Sequence, residues 1–444
     1  MDRGRAGGLR PETGNRLFRS TNLSTFDQRN ARLTQTIQPR GIPPAGRFAL
    51  LAALFSSIGQ TFFIGLFGAD FRAEFGLSDA GLGALYSGAT LVSGISMFWL
   101  GGLADHLSLR RAVAGVVILL AFGAWLVSSA VSAWMLLPGL FLIRLCGQGL
   151  MGHLGVVAAG RYAIRRRGRA LAMVSYGFIL GEACFPPLVA LALDQYDWRS
   201  VWLTASIVMV VIALPLLAWL ARPLTGNPAA DEEAGRSGTD AESTPLLRRH
   251  RMLTHGAFLR VLMVVLVPPV LITAVFLHQG SIAERQGWTL LEVGRAFVLF
   301  AAAQAAAAFL AGRLIDRFSA RVLLYFQLLP AALGVLSLGL LGSQASLWTM
   351  FLGLGMTAGF NGVISAAIWV ELFGTRQLGM IRGVYAALMV VSTALGPVIL
   401  GGLLDLGTSL MAIGIAVTGY ALVVPAIVVP AIVAHRRAGP MPEA

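Results

Sequence analysis

Twelve stretches of this sequence are long and apolar enough to cross a bilayer, and that fact constrains the fold more than any other. They run 48–69, 80–101, 112–131, 136–158, 170–193, 201–221, 259–281, 292–313, 321–341, 346–370, 382–404 and 409–433. A helix needs about 20 mainly apolar residues to traverse the hydrocarbon core. In lipid the backbone must satisfy its own hydrogen bonds, so only helices and closed barrels span. Barrel strands are about ten residues long and alternate in polarity, and these runs do neither. With 56% hydrophobic and 12% charged residues, the chain departs from a soluble domain, which is about half apolar and a quarter charged. The expected fold is an all-α membrane protein of twelve transmembrane helices, numbered here as spans one to twelve.

The placement of charge sets the orientation. All 34 basic residues are Arg, which fits the codon usage of a GC-rich genome, and the net charge is +13. Such a charge can signal nucleic acid. Here, however, the Arg residues cluster between apolar runs and in the N-terminal tail, so the expected partner is the bilayer and not nucleic acid. With the N-terminus inside, 29 Arg fall on the inner side and four on the outer: Arg72, Arg199, Arg285 and Arg295. Arg144 remains within the membrane. That bias predicts cytoplasmic N- and C-termini in a multi-pass protein of a bacterial inner (plasma) membrane. The first 46 residues hold eight Arg and no apolar core of a signal peptide. Residues 1–47 read as a disordered, Arg-rich cytoplasmic tail. The stretch 222–258 carries Asp231, Glu232 and Glu233, then Arg248, Arg249 and Arg251, among Gly, Ser, Thr and Pro. It reads as a flexible cytoplasmic linker between a six-helix bundle at 48–221 and another at 259–434, with a short tail at 435–444. Cys146 and Cys184 are the only cysteines. Two thiols inside apolar runs argue for packing, not for a disulfide or a metal site.

The two halves repeat at an offset of 211 residues. Gly76 pairs with Gly287, Gly83 with Gly294, Gly101 with Gly312, Asp105 with Asp316 and Ser108 with Ser319. Arg110 pairs with Arg321, Gly168 with Gly379, Pro186 with Pro397 and Asp194 with Asp405. Hydrophobic composition does not produce such identities. Six spans per half make the repeat parallel, related by an axis along the membrane normal. Two such bundles can rock about a central site.

The loop after span two reads Gly101-Gly-Leu-Ala-Asp105-His-Leu-Ser-Leu-Arg110-Arg111, and the loop after span eight reads Gly312-Arg-Leu-Ile-Asp316-Arg317-Phe-Ser-Ala-Arg321. Both resemble the loop signature of the major facilitator superfamily, Gly-x-Leu-Ala-Asp-Arg-x-Gly-Arg-Arg. His106, Ser108 and Ser319 depart from it. Gly lets two helices approach closely, and Asp at a helix end can accept from Arg or from a neighbouring helix N-terminus. The resemblance implies that Gly101, Asp105, Arg110, Arg111, Gly312, Asp316, Arg317 and Arg321 gate the cytoplasmic side. Span four, Arg144-Leu-Cys-Gly-Gln148-Gly149, is similar to the superfamily's Arg-x-x-Gln-Gly with one extra residue between Arg and Gln. Glu182 stands where proton-driven drug antiporters carry Pro, against a drug exporter. Pro186-Pro187, the Asp194…Trp198-Arg199 ending and Phe276-Leu-His278-Gln279 look like bacterial relatives of the monocarboxylate and oxalate/formate transporters.

An ionisable group inside the membrane costs about 2.5–3.5 kcal/mol on insertion scales and is a functional candidate. Arg144 can hold a carboxylate through two parallel hydrogen bonds; the alternative is a structural ion pair with Glu182. Glu182 is the candidate proton carrier. Gln148, His153, Gln60, Phe63 and Asn361 are further substrate candidates, with Gln304 weaker. His153 follows Arg144 by nine residues, so the two face different sides of span four. His278 and Gln279 are candidates for anion binding, and His278 also for proton coupling. Pro268-Pro269 must disturb span seven and can free carbonyls toward a cavity. The expectation is a proton-coupled secondary transporter of a small organic, carboxylate-type anion, without cofactor or metal. No Lys exists for a phosphate-binding Walker loop. A multidrug exporter, or a receptor that binds without transporting, are the alternatives.

Overall fold

The computed structural model describes residues 42–163, 166–226, 249–374 and 378–437, which are helical almost throughout. The described residues from Pro43 onward form one compact unit. The tail expected at 1–47 lies outside the described residues up to 41, as do most of the linker (227–248) and the final residues 438–444. Among the described residues, eleven helices have the length and hydropathy to cross a membrane. Spans one to six are Pro44–Phe75, Asp79–Leu100, Leu109–Ser128, Ala133–Tyr162, Arg167–Leu193 and Trp198–Leu220. Spans seven, eight, ten, eleven and twelve are Gly256–Leu277, Leu290–Phe318, Ser343–Phe373, Leu378–Asp405 and Leu410–Ile432. Span nine is interrupted: a turn of helix at Ala320–Leu323 precedes Leu329–Leu340. It completes the twelve. The side on which span one begins is called the tail side, and the side on which it meets span two the far side.

The repeat is visible in backbone detail. The far-side end of span one breaks at Phe67 (φ −95°, ψ 4°), and its counterpart in span seven breaks at His278 (φ −95°, ψ 18°). Both final turns end on a left-handed glycine, Gly76 (φ 61°) and Gly287 (φ 71°), a conformation glycine adopts without a Cβ penalty. Two residues on, the side chains of Ser78 and Thr289 accept from the amides of Gly81 and Glu292 and cap spans two and eight. Asp197 caps span six in the same way. Its bonds from the Ser200 hydroxyl and amide hold that exposed carboxyl below its ordinary range.

The repeated Gly and Pro meet across the halves. A Cβ at Gly83 would stand 2.6 Å from the Pro397 carbonyl oxygen, and one at Gly294 would stand 2.9 Å from that of Pro186. Span two thus lies backbone to backbone on span eleven, and span eight on span five. A Cβ added at Gly312, Gly362, Gly379 or Gly383 would meet nothing within 4 Å.

The Pro268-Pro269 break differs from expectation. Span seven is interrupted at Leu266 between Gly256–Val265 and Val267–Leu277. Pro268 has no N–H to give to the Val264 carbonyl. That oxygen is not turned to a cavity: Gln327 of span nine, itself buried, donates to it at 3.4 Å. Tyr420 of span twelve donates to Met263 O at 2.7 Å. Side chains of neighbouring helices therefore repair the break within the second half. Cys146 is buried and Cys184 exposed, and both are free thiols.

Gln327→Leu keeps the volume and removes the donor. Leaving a buried carbonyl unpaired costs about 1–3 kcal/mol. The purified variant should melt several degrees below the parent by intrinsic Trp fluorescence. An unchanged melting temperature would show that the break needs no repair.

Candidate substrate cavity and far-side seal

Span one is not one helix. It runs α-helical to Phe55, tightens to a 3₁₀ turn at Ser56–Gly59, and turns extended at Gln60 (φ −85°, ψ 153°) before resuming at Thr61. The amide of Phe63 bonds to Gln60 O instead of Gly59 O. The Gly59 carbonyl therefore has no helical donor, and Arg144 supplies one: Nη1 donates to Gly59 O at 2.9 Å. Nε donates to Thr90 Oγ1 of span two at 3.1 Å. The guanidinium carbon lies 4.9 Å from the Tyr86 ring centroid, within cation–π range. The Tyr86 hydroxyl is bonded to Thr61 Oγ1 at 2.5 Å. Arg144 is only 1% exposed, so it is a pillar of the first half rather than an open wall of the cavity.

Span four reaches this position through a π-helical segment, Arg144–Met151. That is where the sequence carries one residue more than the superfamily signature. A π segment absorbs one extra residue without rotating the faces beyond it. Gly147 then packs on Gly59, where a Cβ would stand 2.6 Å from the Gly59 Cα, and Gly149 packs on Met97 of span two. Between those two faces Gln148 is exposed.

Glu182 does not pair with Arg144. It is half-buried on span five and faces Gln304 of span eight, in the other half. Glu182 Oε2 and Gln304 Oε1 are both buried without a hydrogen-bond partner. Asn361 of span ten and Ser365 stand beside the Tyr385 hydroxyl of span eleven, and Asn361 Oδ1 also lacks a partner. Gln60, half-buried, lies at the break in span one.

Other expected site residues lie elsewhere. Phe63 is buried against Phe67, Phe185 and Trp202 within the first half. His153 Nε2 lies 2.8 Å from Gly101 O, fastening span four to the end of span two on the tail side. His278 and Gln279 are both buried in the contact between the halves. Gln279 Nε2 donates to Phe62 O of span one at 3.1 Å. His278 Nε2 is 2.8 Å from Pro397 O, and Nδ1 is 3.4 Å from Asp79 Oδ1. These two residues seal the far side instead of lining the cavity.

The far-side seal joins the halves by several polar contacts. Asp405 accepts from the amides of Asp79 and Ala80, both at 2.9 Å, and so caps span two from the opposite half. Ser281 donates to Asp79, and Ser87 to Ala394 O. Arg72 lies 3.4 Å from Asp79 and donates to both carboxylate oxygens of Glu284 at 2.9 and 3.0 Å. Asp79, Thr90, Tyr86 and Gly59 were not singled out from sequence. A buried Asp at a helix start looks like an ordinary cap, and a carbonyl freed by a helix break has no residue-type signature.

Among the gating candidates, Arg110, Arg111, Asp316 and Arg317 are exposed, and the Asp105 side chain lies outside the described residues. Gly101 accepts from His153, while a Cβ at Gly312 would meet open space. Arg321 is buried and donates to Glu371 O at 2.7 Å, with its Nε 3.7 Å from the Glu371 carboxylate. Glu371 also accepts from Ala320 N at 2.7 Å. This latch ties the loop after span eight to the end of span ten.

Thr90→Val removes one acceptor of Arg144 at constant shape. A lost hydrogen bond to a charged group is worth about 1.5–3 kcal/mol, so a drop in melting temperature and a loosened span one are expected. Proteolysis or hydrogen exchange at 55–65 reads the second effect. Wild-type protection there would remove Thr90 from the support of the break.

The sequence matches the family described as Major Facilitator Superfamily over residues 49–397 and over 257–441. No curated protein sequence matches it. Among solved structures, the nucleoside transporter NupG superposes with a TM-score of 0.67 at 10% identity, covering 87% of this chain and 98% of that one. A bacterial homolog of the human lysosomal transporter Spinster, in an inward-facing and unoccupied conformation, gives 0.62 at 16% identity, covering 88% and 95%. At such identities the likeness is one of fold.

Proposed function

The chain belongs to the major facilitator superfamily of membrane transporters, and we propose that it moves a small organic anion together with a proton by alternating access. The observation that carries this reading is that Arg144 and Glu182, the two opposite charges deep in the first half, are not paired with each other. A buried charge without a counter-charge is costly, so each calls for its own. A carboxylate on the substrate neutralises the guanidinium. A proton neutralises Glu182. Two of the three guanidinium nitrogens are engaged by protein oxygens, which leaves Nη2 for the substrate. A proton on Glu182 also supplies the donor that its buried neighbour Gln304 Oε1 lacks. Proton loading then strengthens a contact between the halves at mid-membrane. Gln148 and Asn361 orient the rest of the solute.

The distribution of Arg supports a cytoplasmic tail side, so the far-side closure described above corresponds to a cavity facing the cytoplasm. The stretches Pro186-Pro187 and Phe276 to Gln279 support monocarboxylate or oxalate/formate relatives as the subgroup. A second reading is favoured by the lining itself: amides such as Gln148, Gln304 and Asn361 also suit a neutral, multiply hydrogen-bonding solute. A nucleoside, the cargo named for the structural neighbour NupG, is of that class.

Uptake of radiolabelled small organic acids and of nucleosides into proteoliposomes, with and without an imposed pH gradient, separates these readings. The anion reading expects saturable, gradient-stimulated uptake of an acid. Arg144→Lys should lower it at least about tenfold, since Lys keeps the charge but not the fork. Glu182→Gln should abolish gradient stimulation and spare counterflow exchange. Uptake of a nucleoside but no acid would favour the neutral-solute reading. Acid uptake unchanged in a folded Arg144→Lys variant would remove Arg144 from the site.

A further inference from the structure

His278 lies where span seven breaks, and its ring is fully buried between the halves. Nε2 stands 2.8 Å from the Pro397 carbonyl. A carbonyl only accepts, so Nε2 carries a hydrogen. Nδ1 is then the nitrogen whose state changes on protonation. It lies 3.4 Å from Asp79 Oδ1 and otherwise has no hydrogen-bond partner. In the neutral ring a lone pair on Nδ1 faces a carboxylate oxygen, and two acceptors repel. In the imidazolium the same nitrogen presents an N–H to that oxygen, in a site closed to water.

The charges around the ring favour the same state. From span one, Arg72 lies 3.4 Å from Asp79 and is shared with Glu284 of the helix that follows His278. From the end of span eleven, Asp405 caps Asp79 and Ala80. Arg285 donates to the carbonyls of Leu404 and Thr408. Three carboxylates, Asp79, Glu284 and Asp405, stand against two guanidiniums, Arg72 and Arg285. With Asp70 of span one lining the same pocket as Glu284, the acidic groups outnumber the guanidiniums, and a proton on His278 reduces that excess.

We propose that His278 and Asp79 form a proton-binding lock, in which the proton on His278 holds span seven against span two and keeps the far side shut. The lock uses the alternating access of the transport reading but not its substrate or Glu182. When the halves separate on the far side, Nδ1 leaves Asp79 and meets water, and the carboxylate that receives its N–H is lost. Acidity on the far side therefore drives the transporter toward the far-side-closed state.

The test uses the full chain with Cys146→Ala and Cys184→Ala, and spin labels at Ala73→Cys and Leu406→Cys. Both positions are exposed, at far-side ends of opposite halves. Pulsed electron paramagnetic resonance reads the distance distribution in liposomes from about pH 8.5 to about pH 5.5, bracketing imidazole titration. In the parent, the short-distance population should grow as pH falls. His278→Gln can still donate to Pro397 O but cannot be charged, and should abolish that growth. Asp79→Asn replaces the carboxylate with a group able to donate to neutral Nδ1, and should abolish it too. Glu182→Gln should leave it intact. A pH-independent distribution in the parent overturns the lock, as does a wild-type response in folded His278→Gln. If His278→Gln does not fold, Asp79→Asn decides alone, with a retained response counting against the lock. Loss of substrate uptake with a retained, His278-dependent distance response would reject the transport reading and keep the lock.

Discussion

A helix that breaks inside a membrane exposes a backbone carbonyl to a medium without water, and the first half of this protein is organised around one such carbonyl. Gly59 O is answered by Arg144, which spans one, two and four surround so closely that it is almost wholly buried. The break in turn depends on small residues. Gly59 and Gly147 bring spans one and four so close that a single Cβ on either would collide with the other's backbone. Removing Arg144 would leave the carbonyl and the packed glycines in place without their donor. Its charge is therefore structural before it is functional. A substrate that uses it must borrow a group already at work, which couples binding to the geometry of span one.

The duplication supplies symmetry where rocking needs it and withholds it where chemistry is done. Gly83 on Pro397 and Gly294 on Pro186 are the same contact made twice, bare backbone on bare backbone. The polar chemistry is one-sided. Asp405 caps span two, whereas the carboxylate of its repeat partner Asp194 accepts from the adjacent Gln195 side chain. At the second junction a cavity of about 410 Å³ lies among residues that include Leu193, Asp197, Trp198, Glu284 and Leu290. Far-side closure is tight at spans two and eleven and looser at five and eight.

Much of the architecture was legible because lipid narrows the choices. Spans, halves and repeat follow from run length, Arg placement and the 211-residue offset. The extra residue in span four was visible as a departure from the superfamily signature, and its meaning, a π segment, is a backbone property that residue types do not announce. His278 and Gln279 were legible as polar residues in an apolar span. That they belong to the seal depends on how far the halves have rotated, which no single sequence encodes. The freed Val264 carbonyl was anticipated at Pro268. Its partner, Gln327, comes from span nine, 63 residues away along the chain, and only packing brings it there.

The same logic explains why the polar residues fall into two classes. Gln327, Tyr420, Thr90 and Arg144 each donate to, or hold the donor for, a backbone oxygen that a helix break has released. They satisfy what the fold itself leaves open, although Gln327 keeps its own Oε1 buried without a partner. Glu182, Gln304, Asn361 and His278 keep a buried atom without a hydrogen-bond partner. Unpaired buried atoms are costly in a static structure, and all four lie where the halves meet or where span ten faces span eleven. A cost carried by these four at such boundaries is consistent with a molecule that exchanges partners as it works. A proton or a solute in one state, and water in the next, can pay it in turn.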